Sequence, residues 1–262
     1  MRGAHRHGPR MSDPFFFGYG SLVNRATHTY PQVERARVRG WARQWKRTRL
    51  RPVAFLTAVE ADGEDIDGLI AAVPGADWAA LDEREWAYRR NPVAEIFHDP
   101  ADRPPLSDIQ IYRTVIEEDD SPDAHHPVLL SYIDVVVQGY LREFGTAGAE
   151  RFFATTHGWD TVVLDDRAAP IYPRHQSLTE DEMRVVDRHL SGLAEVICDT
   201  ALREEIRQHR PPQEPASEQV QTPGDLRAGG VPLTPIVEHL QQPGLPGERG
   251  RLARCVVAGD DA

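Results

Sequence analysis

Six short runs rich in β-branched and aromatic residues fall within the first 117 positions of this 262-residue chain, without strict alternation with helical segments. They span 14–18, 33–40, 53–60, 67–73, 93–97 and 109–117. A doubly wound sheet needs a helical crossover between successive parallel strands, and the sequence offers only the segment 76–88 for this in that region. The expected fold class is therefore α+β: a small mixed β-barrel or strongly curved sheet with flanking helices. Periodicity predicts helices over 76–88, 131–145 and 147–155, with a long final helix after Thr179. Ser131 with Asp134, and Thr179 with Glu182, have the spacing of capping boxes, and Gly145 is placed as a helix stop.

Three regions are distinguished by composition. Residues 1–12 read as a disordered leader, with Met11 as an alternative start, and 13–209 as one domain. Residues 210–262 read as a mostly disordered tail, since 211–262 alone hold 8 Pro and 7 Gly. Within the tail, 234–242 has the pattern of a short helix. A net charge of −11 excludes a protein that holds nucleic acid by a basic face, and disfavours anionic membrane surfaces equally. No apolar run approaches the roughly 20 residues of a spanning helix. The two cysteines, Cys198 and Cys255, offer neither a disulfide framework nor a zinc knuckle, which points to a reducing, cytoplasmic setting.

Two segments carry the chemical signal. In "FFFGYGSLVN", residues 15–24, an apolar strand breaks into a turn almost bare of side chains. Glycine serves such a turn either by reaching positive φ or by letting main-chain N–H groups approach something small. In "GADWAALDEREWAY", residues 75–88, a helix of about 100° per residue puts Trp78, Leu81, Glu85 and Tyr88 within an arc of roughly 80°. Glu85 thus lies in the apolar stripe while Glu83 faces solvent. A carboxylate so placed either pairs with an arginine, Arg89 being nearest by helical spacing, or is desolvated into a proton acceptor working near neutral pH.

Together, "FGYGSL" and "LDERE", about 65 residues apart, resemble the γ-glutamylcyclotransferase superfamily, with its YGS[LN] loop and catalytic glutamate. Leu22, Arg84-Glu85 and the basic aromatic run "ARQWKRT" (42–48) are similar to the ChaC-type, glutathione-directed branch. The chain departs from that branch in Trp86-Ala87-Tyr88 after the glutamate, in a polar insertion at 98–108, and in its tail. The resemblance covers about residues 14–145. It implies release of 5-oxoproline from glutathione or another γ-glutamyl compound, with Glu85 as general acid/base. It further implies a substrate pocket formed by Tyr19, Gly20, Ser21, Leu22 and Tyr132, and a small-molecule γ-glutamyl partner. The substrate carries its own nucleophile, so neither metal nor other cofactor is called for. A non-catalytic γ-glutamyl-binding protein and a γ-glutamyl acyltransferase are the alternatives. The pair His125-His126 lacks a third ligand at helical spacing, and "LDDRAAPIYPR" (164–174) either covers the pocket or connects helices.

Overall fold

The computed structural model describes residues 13–98, 108–114, 122–123 and 125–209. The expected leader (1–12), the tail (210–262) with its short helix, and most of the polar insertion lie outside the described residues. The elements are β1 (Phe15–Gly18), β2 (Glu34–Arg47), β3 (Ala54–Ala72), α1 (Ala79–Arg84), β4 (Tyr88–Pro92), β5 (Ile96–His98) and β6 (Ile109–Thr114). Then follow β7 (Val128–Leu129), α2 (Leu130–Ala154), β8 (Thr156–His157), β9 (Val162–Leu164), α3 (Glu180–Leu190), β10 (Glu195–Ile197) and α4 (Thr200–Gln208).

The main sheet is mixed and has the order β4-β6-β1-β3-β2-β5, with β8 beside β2, and a small parallel sheet runs β10-β9-β7. The architecture is the expected α+β one, a large curved sheet with flanking helices; it is not closed into a barrel. The three phenylalanines of β1 follow from its place in the sheet. Side chains alternate between the faces of a strand, so Phe15 and Phe17 enter the main core with Trp45, Ile70, Ile133 and Phe152. Phe16 points the other way, packing with Leu22, Ala71, Leu81 and Tyr112.

Several predicted elements differ, among them the long final helix after Thr179, which ends at Leu190 and gives way to β10 and α4. The runs 53–60 and 67–73 are parts of the single strand β3, paired along β2 with a register shift between Arg39 and Trp41. The segment 76–88 is helical only over α1, and Tyr88 opens β4 by pairing with Thr114 of β6. The break predicted at Gly145 is present, with φ 67° and ψ −170° interrupting α2. Thr179 and Glu182 form the expected capping box on α3. Ser131 and Asp134 do not. The N-terminus of α2 is instead satisfied by Asp166, which accepts from Ser131 N at 2.8 Å and Ser131 Oγ at 2.6 Å. Asp134 is held by a two-pronged contact with Arg167.

Among the described residues no helix is long and apolar enough to cross a membrane.

Candidate active site

The turn after β1 is pinned from several sides. Asn24 Nδ2 donates to Val135 O at 3.0 Å and to Gln138 Oε1 at 2.9 Å, tying the turn to α2, while its Oδ1 caps the following 3-10 turn by accepting from Ala26 N. Gly18 and Gly20 both keep negative φ, so their value is space, not left-handed backbone. A Cβ on Gly20 would stand 2.5 Å from the Tyr132 hydroxyl oxygen, and one on Gly18 would stand 2.5 Å from Leu22 Cβ. The turn and the first turn of α2 can meet only with glycine at 20.

Glu85 reaches the same place from the end of α1. Its N–H closes the helix on Leu81 O at 2.9 Å, and its backbone (φ −99°, ψ 32°) has already left the helical region. The side chain is thus aimed by a helix end rather than by a helical face. Leu81 anchors the segment, being fully buried. The predicted ion pair with Arg89 is absent, since Arg89 is exposed on β4. The partner is the neighbouring Arg84, whose Nε lies 3.0 Å from Glu85 Oε1. The remaining nitrogens of Arg84 donate to Thr27 O at 2.8 Å and to Ser21 Oγ and Thr27 Oγ1 at 3.2 Å each. One guanidinium therefore joins the carboxyl to the glycine-bounded turn.

Ser21, Glu85 and Tyr132 line a pocket of about 540 Å³ whose walls include Val53, Phe55, Tyr88, Leu129, Ile171 and Tyr172. A recess of about 30 Å³, little more than the room for a water molecule, adjoins the same three residues and is also bordered by Tyr19, Gly20 and Leu22. All six sequence-predicted site residues are thus gathered here, in two different positions. Tyr19, Gly20 and Leu22 border the recess alone. The Tyr19 hydroxyl is already engaged, donating to Tyr112 O at 2.6 Å and accepting from Ala58 N at 3.0 Å. The Leu22 side chain belongs to the core behind the turn.

Burial dominates the electrostatics. It pushes the Glu85 carboxyl above the ordinary carboxylate range, opposed by the charges of Arg84 and Arg174 and by the Arg84 hydrogen bond. Tyr88 and Tyr132 are driven well above the ordinary phenol value, first by burial and then by neighbouring phenols and Glu85. Both hydroxyls are accordingly protonated at neutral pH. Tyr88 spends its proton on Leu56 O at 3.0 Å. The Tyr132 hydroxyl faces the Ser21 main-chain N–H, which opposes the upward shift. Its ring is braced edge-on by Tyr172, with centroids 5.0 Å apart.

Sequence reasoning did not single out Arg51, Tyr172 or Arg174, all of which line the pocket. The segment 164–174 does cover the pocket, through Ile171, Tyr172, Pro173 and Arg174. Arg84 was visible as part of "LDERE", without its bracing role. Among the described residues no group of three or more His, Cys, Asp or Glu is arranged to hold a metal ion.

The sequence matches the family described as "Gamma-glutamyl cyclotransferase, AIG2-like" over residues 16–131, a span that contains both the turn and Glu85. Over that span the chain resembles γ-glutamyl cyclotransferases. Among solved structures, YkqA from Bacillus subtilis is similar at 18% identity, with 53% of this chain and 52% of that chain covered and a TM-score of 0.43. This chain thus spans about half the length of that structure. A structure titled "Gamma-glutamyl cyclotransferase" is similar at 14% identity, covering 67% of this chain and 99% of its own, with a TM-score of 0.40. A yeast γ-glutamyl cyclotransferase specific to glutathione shows 14% identity, 70% and 98% coverage, and a TM-score of 0.35. No curated protein matches the sequence.

Proposed function

We propose that this γ-glutamyl cyclotransferase-like domain is an active enzyme that releases 5-oxoproline from glutathione or another γ-glutamyl amide, with Glu85 as general acid/base. The observation that carries the reading is the Glu85 carboxyl, desolvated but braced by Arg84, in one pocket with the Ser21 turn and the Tyr132 hydroxyl.

A γ-glutamyl compound binds as an ammonium, and an ordinary α-amine has a pKa near 8. Glu85 takes a proton from that ammonium, and the freed amine attacks the γ-carbonyl carbon of the same molecule. The carbonyl electron pair moves onto oxygen, and the ring nitrogen releases its surplus proton to solvent, from which the departed amine recovers a proton once free. Collapse of the tetrahedral intermediate breaks the C–N bond to the leaving group, whose nitrogen receives the proton held by Glu85. Because the reaction is intramolecular, the protein supplies conformation and charge stabilisation rather than a second reactant.

The small recess suits the γ-carbonyl oxygen. In this reading a protonated Tyr132 hydroxyl donates to it as negative charge develops, with main-chain N–H groups of the Gly20-Ser21-Leu22 turn nearby. The test is incubation of the purified protein with glutathione and a panel of γ-glutamyl amino acids, with 5-oxoproline followed by mass spectrometry. Turnover that disappears in Glu85→Gln is the expected result. Accumulation of a γ-glutamyl conjugate would mark an acyltransferase, and binding without consumption a non-catalytic receptor.

A further inference from the structure

We infer that Arg51 and Arg174 form a subsite for a carboxylate carried by the leaving group, so that this pocket selects γ-glutamyl amino acids or peptides over γ-glutamyl amines. The inference rests on the cyclotransferase reading above and adds to it the part of the substrate that departs.

Three guanidiniums line the large pocket, those of Arg51, Arg84 and Arg174. Arg84 is saturated by Glu85, Ser21 and Thr27. The other two have no hydrogen-bond or ion-pair partner among the described residues. Arg51 lies in the loop between β2 and β3, and its Nε is buried with no hydrogen-bond partner. Burial alone pulls its pKa below the ordinary arginine value. A guanidinium placed this way bears a desolvation cost that an incoming anion would relieve. Arg174 comes from a separate loop, between β9 and α3, and its charge is felt at Glu85.

Neither Arg51 nor Arg174 borders the recess shared by Glu85, Ser21 and Tyr132. They line the same pocket as Glu85 without bordering the recess, and we place there the group attached to the γ-nitrogen. The walls between are apolar, formed by Val53, Phe55, Leu129 and Ile171. An apolar side chain with an adjacent carboxylate satisfies both features. The only carboxylates on this lining are Glu85, already paired, and the exposed Glu83.

A matched pair of substrates isolates the claim: γ-glutamyl-phenylalanine and γ-glutamyl-phenethylamine, which differ only in the carboxylate. The expected wild-type kcat/KM ratio favours the acid by about tenfold or more, equivalent to about 1.4 kcal/mol. Arg51→Gln and Arg174→Gln each reduce that ratio at least fivefold, chiefly through KM of the acid, and Arg51→Lys restores part of it. Because the ratio cancels any effect common to both substrates, a change in Glu85 protonation on removing Arg174 does not enter. Thermal unfolding of each variant verifies that the fold is retained.

A wild-type ratio near one, or variants that slow both substrates equally, would overturn the subsite; the latter result would assign the arginines to the glutamyl portion instead. If neither compound yields 5-oxoproline, the cyclotransferase reading fails. Calorimetric titration with the same pair then decides the subsite independently: tighter, Arg51-dependent binding of the acid sustains it, and equal or absent binding refutes it.

Discussion

The guanidinium of Arg84 meets the carboxylate of its own sequence neighbour, Glu85, at 3.0 Å, while two of its nitrogens reach Ser21 and Thr27. Adjacent residues in a helix or strand point apart, and this pair converges because Glu85 sits where α1 ends and the backbone turns toward β4. The catalytic candidate and the turn it would work against are thus positioned by one side chain, itself only 8% exposed.

Replacing Arg84 should therefore have two separable effects. In Arg84→Gln the Glu85 carboxyl loses its nearest positive charge, so its already raised pKa rises further and the acid limb of the kcat/KM profile moves to higher pH. Loss of charge-assisted hydrogen bonds to the turn should also lower stability by about 2 kcal/mol. A pH–rate profile reads the first effect and chemical denaturation the second. A variant that loses stability with no movement of the acid limb would show that Arg84 does not tune Glu85.

The sign of the pH dependence is fixed by the direction of the Glu85 shift. As a base the carboxyl must be ionised, so kcat/KM falls about tenfold per unit once pH drops below its folded pKa. Stability moves the other way. A carboxyl with a raised folded pKa binds its proton more tightly folded than unfolded, so its contribution to stability declines as pH rises from about 4.3 through the folded value. Glu85→Gln should then raise the melting temperature at pH 7, with the gain vanishing below about pH 4. Equal melting temperatures across that range would mean that the carboxyl is not desolvated.

Asp166 offers a test of how the pocket cover is attached. Its carboxylate is fully buried and accepts from Ser131 N, Ser131 Oγ and, at 2.8 Å, Ile171 N. It thereby joins the start of α2, where Tyr132 lies, to the segment carrying Tyr172 and Arg174. Asp166→Ala should cost about 3 kcal/mol through buried donors left unpaired, and should raise KM more than it lowers kcat. Asp166→Asn, which keeps one acceptor oxygen, should recover part of both. Denaturation and steady-state kinetics on the two variants measure this.

The sequence was most legible where local pattern and tertiary pairing agree. β1, the Gly145 break and the Thr179–Glu182 capping box are all set by nearby residues. It was least legible where pairing overrides composition. The polar run between 60 and 67 separates two predicted strands, yet both belong to one strand because β2 pairs on either side of the register shift. Tyr88 fits the helical arc of Trp78 and Leu81 but belongs to β4, since the partner strand β6 captures it. Glu85 was found for a reason only half right: one turn after Leu81, though at a helix end. Arg51 and Arg174 had no signal, because all but one of the 30 basic residues are arginine and only the fold reveals which lack partners.

The close approach of Gly20 to Tyr132 gives the most direct test of the site as assembled. A methyl group at 20 would fall 2.5 Å from the Tyr132 hydroxyl oxygen, closer than real carbon contacts allow, and the half-buried ring has Trp45 and Tyr172 against it. Gly20→Ala should therefore push the turn and α2 apart, lowering kcat/KM by about a hundredfold, or roughly 2.7 kcal/mol of transition-state stabilisation. Tyr132→Phe alone should lower kcat by removing a donor to the developing oxyanion, by an amount of order tenfold or more. The two changes share one cause of strain, so they should not add. With the hydroxyl gone the alanine methyl has room, and the double variant should be no worse than Tyr132→Phe by more than a few fold. A double variant as impaired as the product of the two single losses would place the harm of Gly20→Ala elsewhere than against Tyr132.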